Sequence, residues 1–365
     1  MTDDATRPRA TLAAVAERAG VSRSTASLAF SGAGPVAAET REKVLAAAEA
    51  LGYGGPDPVA RSLRSGRTGI VGVVIEDRLR EAFRDPMNIP MLDGLADELG
   101  TAGFSILLLT DPAGPDANAN AASPIDTAPM DAVVLVGCST RLDASVALLR
   151  QRRIPIVAIE AAPMEGVLDI ALDNRRASAL GAARLHELGH RDVAVVTPPL
   201  GAGHAAGPLR DDWEERATSF PAAERLRGVL DVYTSLRGWM APASSTASGY
   251  TAGLAILADP GHRPTAVIAQ SDLLALGVIR AAEELGVSVP EELSVLGFDG
   301  IRTEAYGGIE LATLVQPALE KGRAAGRGVL RLLDGEEPQP TLLRCTLRNG
   351  TTVAAPGAPS SSPLD

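Results

Sequence analysis

The sequence predicts a small all-α headpiece followed by a larger α/β body. Apolar residues recur at helical spacing through roughly the first 50 residues. From Gly69 onward, short continuous apolar runs alternate with helical stretches, the pattern of parallel sheets flanked by helices. Between the two regimes Gly54, Gly55 and Pro56 break regular structure. A chain of 365 residues with 45% hydrophobic content is long enough for two or three packed domains.

The first element begins after Thr11, placed as an N-cap. Leu12, Val15, Ala16 and Ala19 fall at i, i+3, i+4 and i+7 and make one apolar stripe. Gly20 supplies the backbone freedom for a tight turn, Ser22 caps a second helix, and Val21, Ala26 and Ala29 form its stripe. Small residues such as Ala16 and Ala26 let the two helices cross closely, so residues 11–30 read as a helix-turn-helix. The second helix leaves Arg23, Ser24, Ser27 and Leu28 outward, a face suited to a DNA major groove. Residues 38–51 give a third helix with Val44, Leu45, Ala48 and Leu51 on its inner face, closed by Gly52. Two amphipathic Ala-rich helices are common in proteins that never touch nucleic acid, so the third helix matters: three can share one small core.

Past the break, Asp57-Pro58 offers an N-cap and an N1 proline to a short helix over residues 58–64. A helix of fewer than about ten residues does not hold in water unaided, which implies that it forms against a partner; the alternative is a plain linker. Strands are expected at 70–75, 105–110, 132–136, 154–159, 192–196, 265–269 and 293–297. Helices are expected at 88–102, 143–152, 175–188, 221–234, 248–258, 272–285 and 317–333, and this many strands need two sheets. Segments 113–129 and 198–220 read as surface loops, and 357–365 as a disordered tail.

Charge and composition bound the partners. The net charge of −11 is uneven: residues 1–68 hold nine Arg and Lys against seven Asp and Glu, leaving −13 on the other 297. Phosphate contacts act over about one Debye length, roughly 8–10 Å, so a mildly basic head on an acidic body is compatible with duplex DNA. No run of about 18 apolar residues and no signal-peptide pattern is present, which implies a cytoplasmic protein with no membrane partner. Cys138 and Cys345 lie in apolar runs and read as buried thiols; with four scattered histidines, no metal site and no cofactor are expected. An enzyme would need a Gly-x-Ser-x-Gly elbow, a phosphate loop or a metal spacing, and none occurs. A transport component would need an export signal and would leave residues 1–64 unexplained.

Val15-Ala16, Ala19-Gly20-Val21-Ser22, Thr25, Ser27, Val36, Thr40-Arg41, Val44, Leu51-Gly52-Tyr53 and Val59-Ala60-Arg61-Ser62-Leu63 fall in one order and spacing. In these, residues 11–63 resemble the headpiece of the lactose-repressor (LacI/GalR) family of bacterial transcription regulators. The resemblance implies a periplasmic-binding-protein-like core of two Rossmann-like subdomains, extending to about Pro356. The headpiece would span 1–53, the hinge 54–68 and the core 69–356. Subdomain N would hold about 69–162 plus 314–341, and subdomain C about 163–312 plus 343–356.

The resemblance also implies roles. Arg23 and Ser24 stand at the family's principal base-reading positions; an arginine there bridges guanine O6 and N7. Leu28 departs from the Arg or His common at its place and offers only an apolar contact. Ser22, Thr25 and Ser27 carry hydroxyls suited to phosphate oxygens, with capping and packing as the alternative. Ala60, Arg61 and Leu63 match the minor-groove hinge, where a leucine wedges a base step. In the cleft beyond the strand ends, Asp272 matches the aspartate aimed at an effector, its alternative being a helix cap. Arg225, with Gly228 as landmark, and Glu160 complete the expected effector set. Ser244 stands where sugar and purine binders carry an aromatic platform; Phe83, Trp213 or Tyr250 are the candidates to replace it. A homodimer reading an inverted-repeat operator, controlled by a sugar-like small molecule, is the implied assembly.

Overall fold

The computed structural model of the chain describes residues 10–31, 34–55, 66–75, 83–110, 124–137, 143–201, 205–303 and 307–357. The chain divides into two compact units, Met1–Gly69 and Ile70–Asp365. The hinge residues Ala60, Arg61 and Leu63, together with Cys138, lie outside the described residues.

The first unit holds α1 (Leu12–Ala19), α2 (Arg23–Ser31) and α3 (Ala38–Leu51). The Thr11 hydroxyl accepts from Ala14 N–H at 3.2 Å and the Ser22 hydroxyl from Thr25 N–H at 3.0 Å, so both caps form. Gly20 takes φ 66°, and Val21 N–H donates back to the Ala16 carbonyl at 3.0 Å, ending α1 in a left-handed turn. Val15, Ala16, Ala26, Ala29, Val44, Ala47 and Ala48 form the shared core, with Phe30 edge-on to Tyr53 at 5.5 Å. Leu45 departs from expectation and is 44% exposed, its inner place taken by Ala47. The buried stripe of α3 runs 44, 47, 48 and 51, and position 45 lies 100° round the helix from 44.

The second unit has two lobes, each built on one sheet. The first sheet comprises β1 (Ile70–Ile75), β2 (Ser105–Thr110), β3 (Ala132–Val136), β4 (Ile156–Ile159), β5 (Leu168–Leu172) and β12 (Thr341–Leu343). Its order is β12-β5-β4-β3-β1-β2, all parallel. Strand β1 is buried on both faces, which accounts for its unbroken apolar run. Val71, Val73 and Ile75 pack on Met91 and Leu95 of α4 (Asn88–Thr101) and Val329 of α12 (Ala318–Leu333). Val74 faces Ile125 of α5 (Pro124–Thr127) and Leu149 of α6 (Asp143–Gln151) on the other side.

The second sheet holds β6 (Val193–Thr197), β7 (Gly207–Pro208), β8 (Arg237–Met240), β9 (Ala266–Ala269), β10 (Ser294–Asp299), β11 (Ala312–Val315) and β13 (Thr346–Arg348). The order is β13-β11-β10-β9-β6-β8-β7, parallel except for β7 and β13 at the edges. Helices α7 (Asn174–Leu188) and α9 (Phe220–Leu230) cover one face; α10 (Thr246–Leu257) and α11 (Asp272–Glu284) cover the other. The remaining helix, α8 (Trp213–Arg216), is one turn long.

Three differences from expectation concern the body. The first crossing between lobes falls at Asp173 rather than 162, because Leu168, Ile170 and Leu172 alternate inward and add β5 to the first sheet beside β4. The later crossings shift by a few residues: β11 belongs to the second sheet and β12 to the first. The stretches read as surface loops contain structure, with Ile125 fully buried on α5, Leu200 at 2% exposure, and β7 and α8 within 198–220. No helix among the described residues is long and apolar enough to cross a membrane.

Candidate functional site

Two sites follow from this frame. On the headpiece, the second helix of the pair shows Arg23, Ser24 and Leu28 exposed, with Thr25 and Ser27 half-buried beside them. The Ser22 and Thr25 hydroxyls lie 2.8 Å apart. The cap and the apolar stripe fix the rotation of α2, so which side chains face outward is set by the core beneath.

In the body, the carboxyl ends of strands from both sheets open on one cavity of about 840 Å³, where a two-lobed parallel fold places its ligand site. Ile75, Val136 and Ile159 end strands of the first lobe; Gln270 and Asp299 lie at strand ends of the second. The cavity wall carries a closed ring of six buried polar side chains, five of which line the cavity. Lys321 Nζ donates to Glu160 Oε2, and at 2.6 Å to Gln316 Oε1. Gln316 Nε2 donates to Asp299 Oδ1 at 2.6 Å, and the Arg225 guanidinium stands 3.7 Å from that carboxylate. Arg225 Nε donates to Asn174 Oδ1 at 2.8 Å, and Asn174 Nδ2 donates to Glu160 Oε1 at 2.9 Å, closing the circuit. Arg225 also lies 3.7 Å from Glu160, 3.9 Å above the Phe298 ring, and donates to the Gln270 carbonyl at 2.8 Å.

Local backbone aims these groups. Glu160 follows β4 at φ 55° and Asp299 ends β10 at φ 118°, conformations that side-chain-bearing residues rarely adopt and that store strain where a site is built. Arg225 is carried by α9, which lies so close to α7 that a Cβ on Gly228 would meet the Arg175 carbonyl oxygen at 2.1 Å. Burial would raise the Glu160 carboxyl, but the charges of Lys321 and Arg225 and hydrogen bonds from Lys321 and Asn174 prevail and hold it at about 2. Burial pushes Asp299 well up, opposed by Arg225 and reinforced by the neighbouring Asp272 and Asp85 carboxylates. The ring thus presents an ionised acceptor on Glu160, a carboxyl group on Asp299 that burial drives toward its neutral form, and a donor fork on Arg225.

Of the three cleft residues expected from sequence, the fold brings Arg225 and Glu160 together on the cavity wall. Asp272 is a correction. It is fully buried, does not line the cavity, and accepts from Gly300 N–H at 2.7 Å, Ile301 N–H at 2.8 Å and the Thr313 hydroxyl at 2.5 Å. Nor does it cap its helix: Ser271 does, accepting from Leu274 N–H. Asp299 faces the cavity instead, and the rule that polar residues at carboxyl strand ends meet the ligand could have found it. Lys321, Gln316 and Asn174 carried no such signal. None of Phe83, Trp213 and Tyr250 lines the cavity, and no aromatic side chain does among the described residues. The Ser244 hydroxyl donates to Ser271 Oγ at 2.7 Å. Among the described residues no cluster of three or more His, Cys, Asp or Glu is placed to hold a metal ion.

Comparison with known proteins agrees with both halves. Residues 11–55 match the family of bacterial regulatory proteins, lacI family, and residues 182–353 match the periplasmic binding protein-like domain. The HTH-type transcriptional regulator IpsA of Corynebacterium glutamicum is 32% identical over 356 residues, 94% of this chain and 97% of that protein. The HTH-type transcriptional regulator Rv3575c of Mycobacterium tuberculosis is 33% identical over 362 residues, 96% of this chain and 98% of that one. In fold, the chain matches the lac repressor dimer bound to operator and the anti-inducer ONPF with a TM-score of 0.76 at 23% identity, over 95% of this chain and 100% of that one. With a helix-turn-helix that leaves Arg23 outward, a two-lobed body following it in the sequence and full-length relatives above 30% identity, the chain belongs to the LacI family of bacterial DNA-binding transcriptional regulators.

Proposed function

We propose that this regulator binds an inverted-repeat operator as a homodimer, in the cytoplasm, with an affinity set by a small polyhydroxylated molecule held between the lobes of its body. The observation that carries the effector half is the buried ring on the cavity wall, in which carboxyl groups and a guanidinium from both lobes meet with no aromatic face among the described lining residues. Such a set suits hydroxyl groups, which donate to Glu160 and accept from Arg225. A flat aromatic base would lack a stacking partner.

On DNA, Arg23 and Ser24 read base edges, Arg23 favouring guanine, and Leu28 offers an apolar contact such as to a thymine methyl. Ser22, Thr25 and Ser27 position the helix on phosphates. Ala60, Arg61 and Leu63 form the hinge that enters the minor groove, with Leu63 as the wedge. Two heads related by a two-fold axis read a palindrome that one head reads too weakly. The structural relative described as a dimer bound to operator and an anti-inducer supports this assembly. The effector acts by changing the lobe angle, a coupling typically of about 1–3 kcal/mol.

Genomic footprinting with the full chain, and a thermal-shift screen of sugars, polyols and nucleosides, test the two halves separately. A ligand at 100 times its Kd adds about 2.7 kcal/mol. Absence of any protected palindrome refutes the operator reading; stabilisation by nucleosides with none by polyols refutes the effector class.

A further inference from the structure

Lys321 is out of place by the logic of its helix. Ala318, Lys321, Gly322, Ala325, Gly328 and Val329 form the inner face of α12, and Lys321 is only 4% exposed at a position that packing alone would give to an apolar side chain. Taking an ammonium out of water costs several kcal/mol, and a buried ion pair is often no more stable than apolar side chains of similar volume. Stability therefore does not call for this lysine. What it does accomplish is visible in its partners. Glu160 stands at the end of β4 in the first lobe; Gln316 lies at the second crossing and holds Asp299, the last residue of β10 in the second lobe.

We propose that Lys321 is a positioning residue of the effector cavity: through Glu160 directly, and through Gln316 to Asp299, it fixes one carboxyl group from each lobe for ligand hydroxyls. The inference rests on reading the cavity as the effector site. Lys321 joins the lobes where the chain crosses between them, so its two bonds report the lobe arrangement to the same carboxyl groups that meet the ligand. It also keeps Glu160 an ionised acceptor rather than a protonated donor. The other groups facing Glu160 do not replace it. Arg225 on α9 is shared with Asp299, and Asn174 on α7 carries no charge. Asp169 on β5 and the Cys345 thiol at the third crossing are both pushed up by burial and by neighbouring carboxylates, Asp169 to about 6 and Cys345 to about 12. Neither supplies a positive charge.

The test is side-chain carboxyl 13C NMR of the full chain, ligand-free, labelled at Glu and Asp, with the signals assigned by their loss in Glu160→Gln and Asp299→Asn. Wild type, Lys321→Met and Lys321→Arg are titrated, with Lys321→Gln in place of Met should that variant not fold. In wild type the Glu160 signal stays in its ionised position through mildly acid pH. Without the ammonium its midpoint is expected to rise by at least one pH unit, the Asp299 signal to move as Gln316 is released, and Lys321→Arg to restore both. An unchanged Glu160 midpoint in the neutral variant overturns the proposal, as does a Glu160 shift with Asp299 unmoved, which breaks the relay through Gln316. A lysine that only stabilised the fold would lower the melting temperature and, with no relay through Gln316, leave the Asp299 signal where it was. Because no small molecule is added, this result is independent of whether the screen finds an effector.

Discussion

Replacing Asp272 separates a ligand contact from a structural brace. Its Oδ2 accepts both Gly300 N–H at 2.7 Å and Ile301 N–H at 2.8 Å, and its Oδ1 the Thr313 hydroxyl at 2.5 Å, in a site of zero exposure. In Asp272→Ala two backbone donors are left buried without an acceptor, at about 1–3 kcal/mol each, while the Thr313 hydroxyl can turn to another partner. Part of that loss is offset, because burial has already pushed the Asp272 carboxyl up to about 6 and its ionised form is costly near neutrality. The expected net destabilisation is about 3 kcal/mol. Asp272→Asn keeps an acceptor oxygen for the two N–H groups and turns its amide toward the Thr313 oxygen, so it should cost about 1 kcal/mol or less. Urea unfolding followed by tryptophan fluorescence measures this directly, since both tryptophans, Trp213 and Trp239, lie in the same lobe as Asp272. Equal stability of the Ala variant and wild type would refute the bracing role.

Arg23→Ala should weaken the cognate site by about 1–3 kcal/mol and relax one base position in footprinting; an equal loss on every sequence would show a phosphate contact instead. Stability should depend on pH in two windows. Asp272 is raised, so its contribution is complete below its ordinary 3.8 and is lost as pH rises through about 6; Asp272→Asn should flatten that slope in thermal melts. Glu160 is lowered, so its contribution is present above its ordinary 4.5 and is lost as pH falls toward about 2; Glu160→Gln should flatten that acid limb in the same melts. Gly228→Ala puts a methyl 2.1 Å from the Arg175 carbonyl oxygen, so α9 must shift; about 1–3 kcal/mol of stability should go, and with it the seating of Arg225, visible in a crystal structure of the variant.

The headpiece was legible because its information is local. The stripe of Val15, Ala16, Ala26 and Ala29, the caps Thr11 and Ser22 and the turn at Gly20 lie within 20 residues, and together they fix which side of α2 faces out. In the body, β1, β3, β4, β6, β9 and β10 announce themselves as apolar runs because central parallel strands are buried on both faces. Strand β5, whose apolar run is broken by Asp169 and which is buried only at alternate residues, and the three-residue β12 do not, and with β5 unseen the lobe boundary moved.

What the sequence by itself determined is the family, the all-α head and the two-sheet body, each carried by spacing along the chain; Arg225 and Glu160 were named as cleft residues by the family resemblance. The tertiary structure alone decided that Asp299 rather than Asp272 faces the cavity, and that Lys321 and Gln316 complete its ring. Those choices depend on groups up to 161 residues apart meeting at two crossings between lobes. A carboxylate one residue into a helix can turn either to a ligand or to a neighbouring loop; only the position of Gly300, Ile301 and Thr313 settles it.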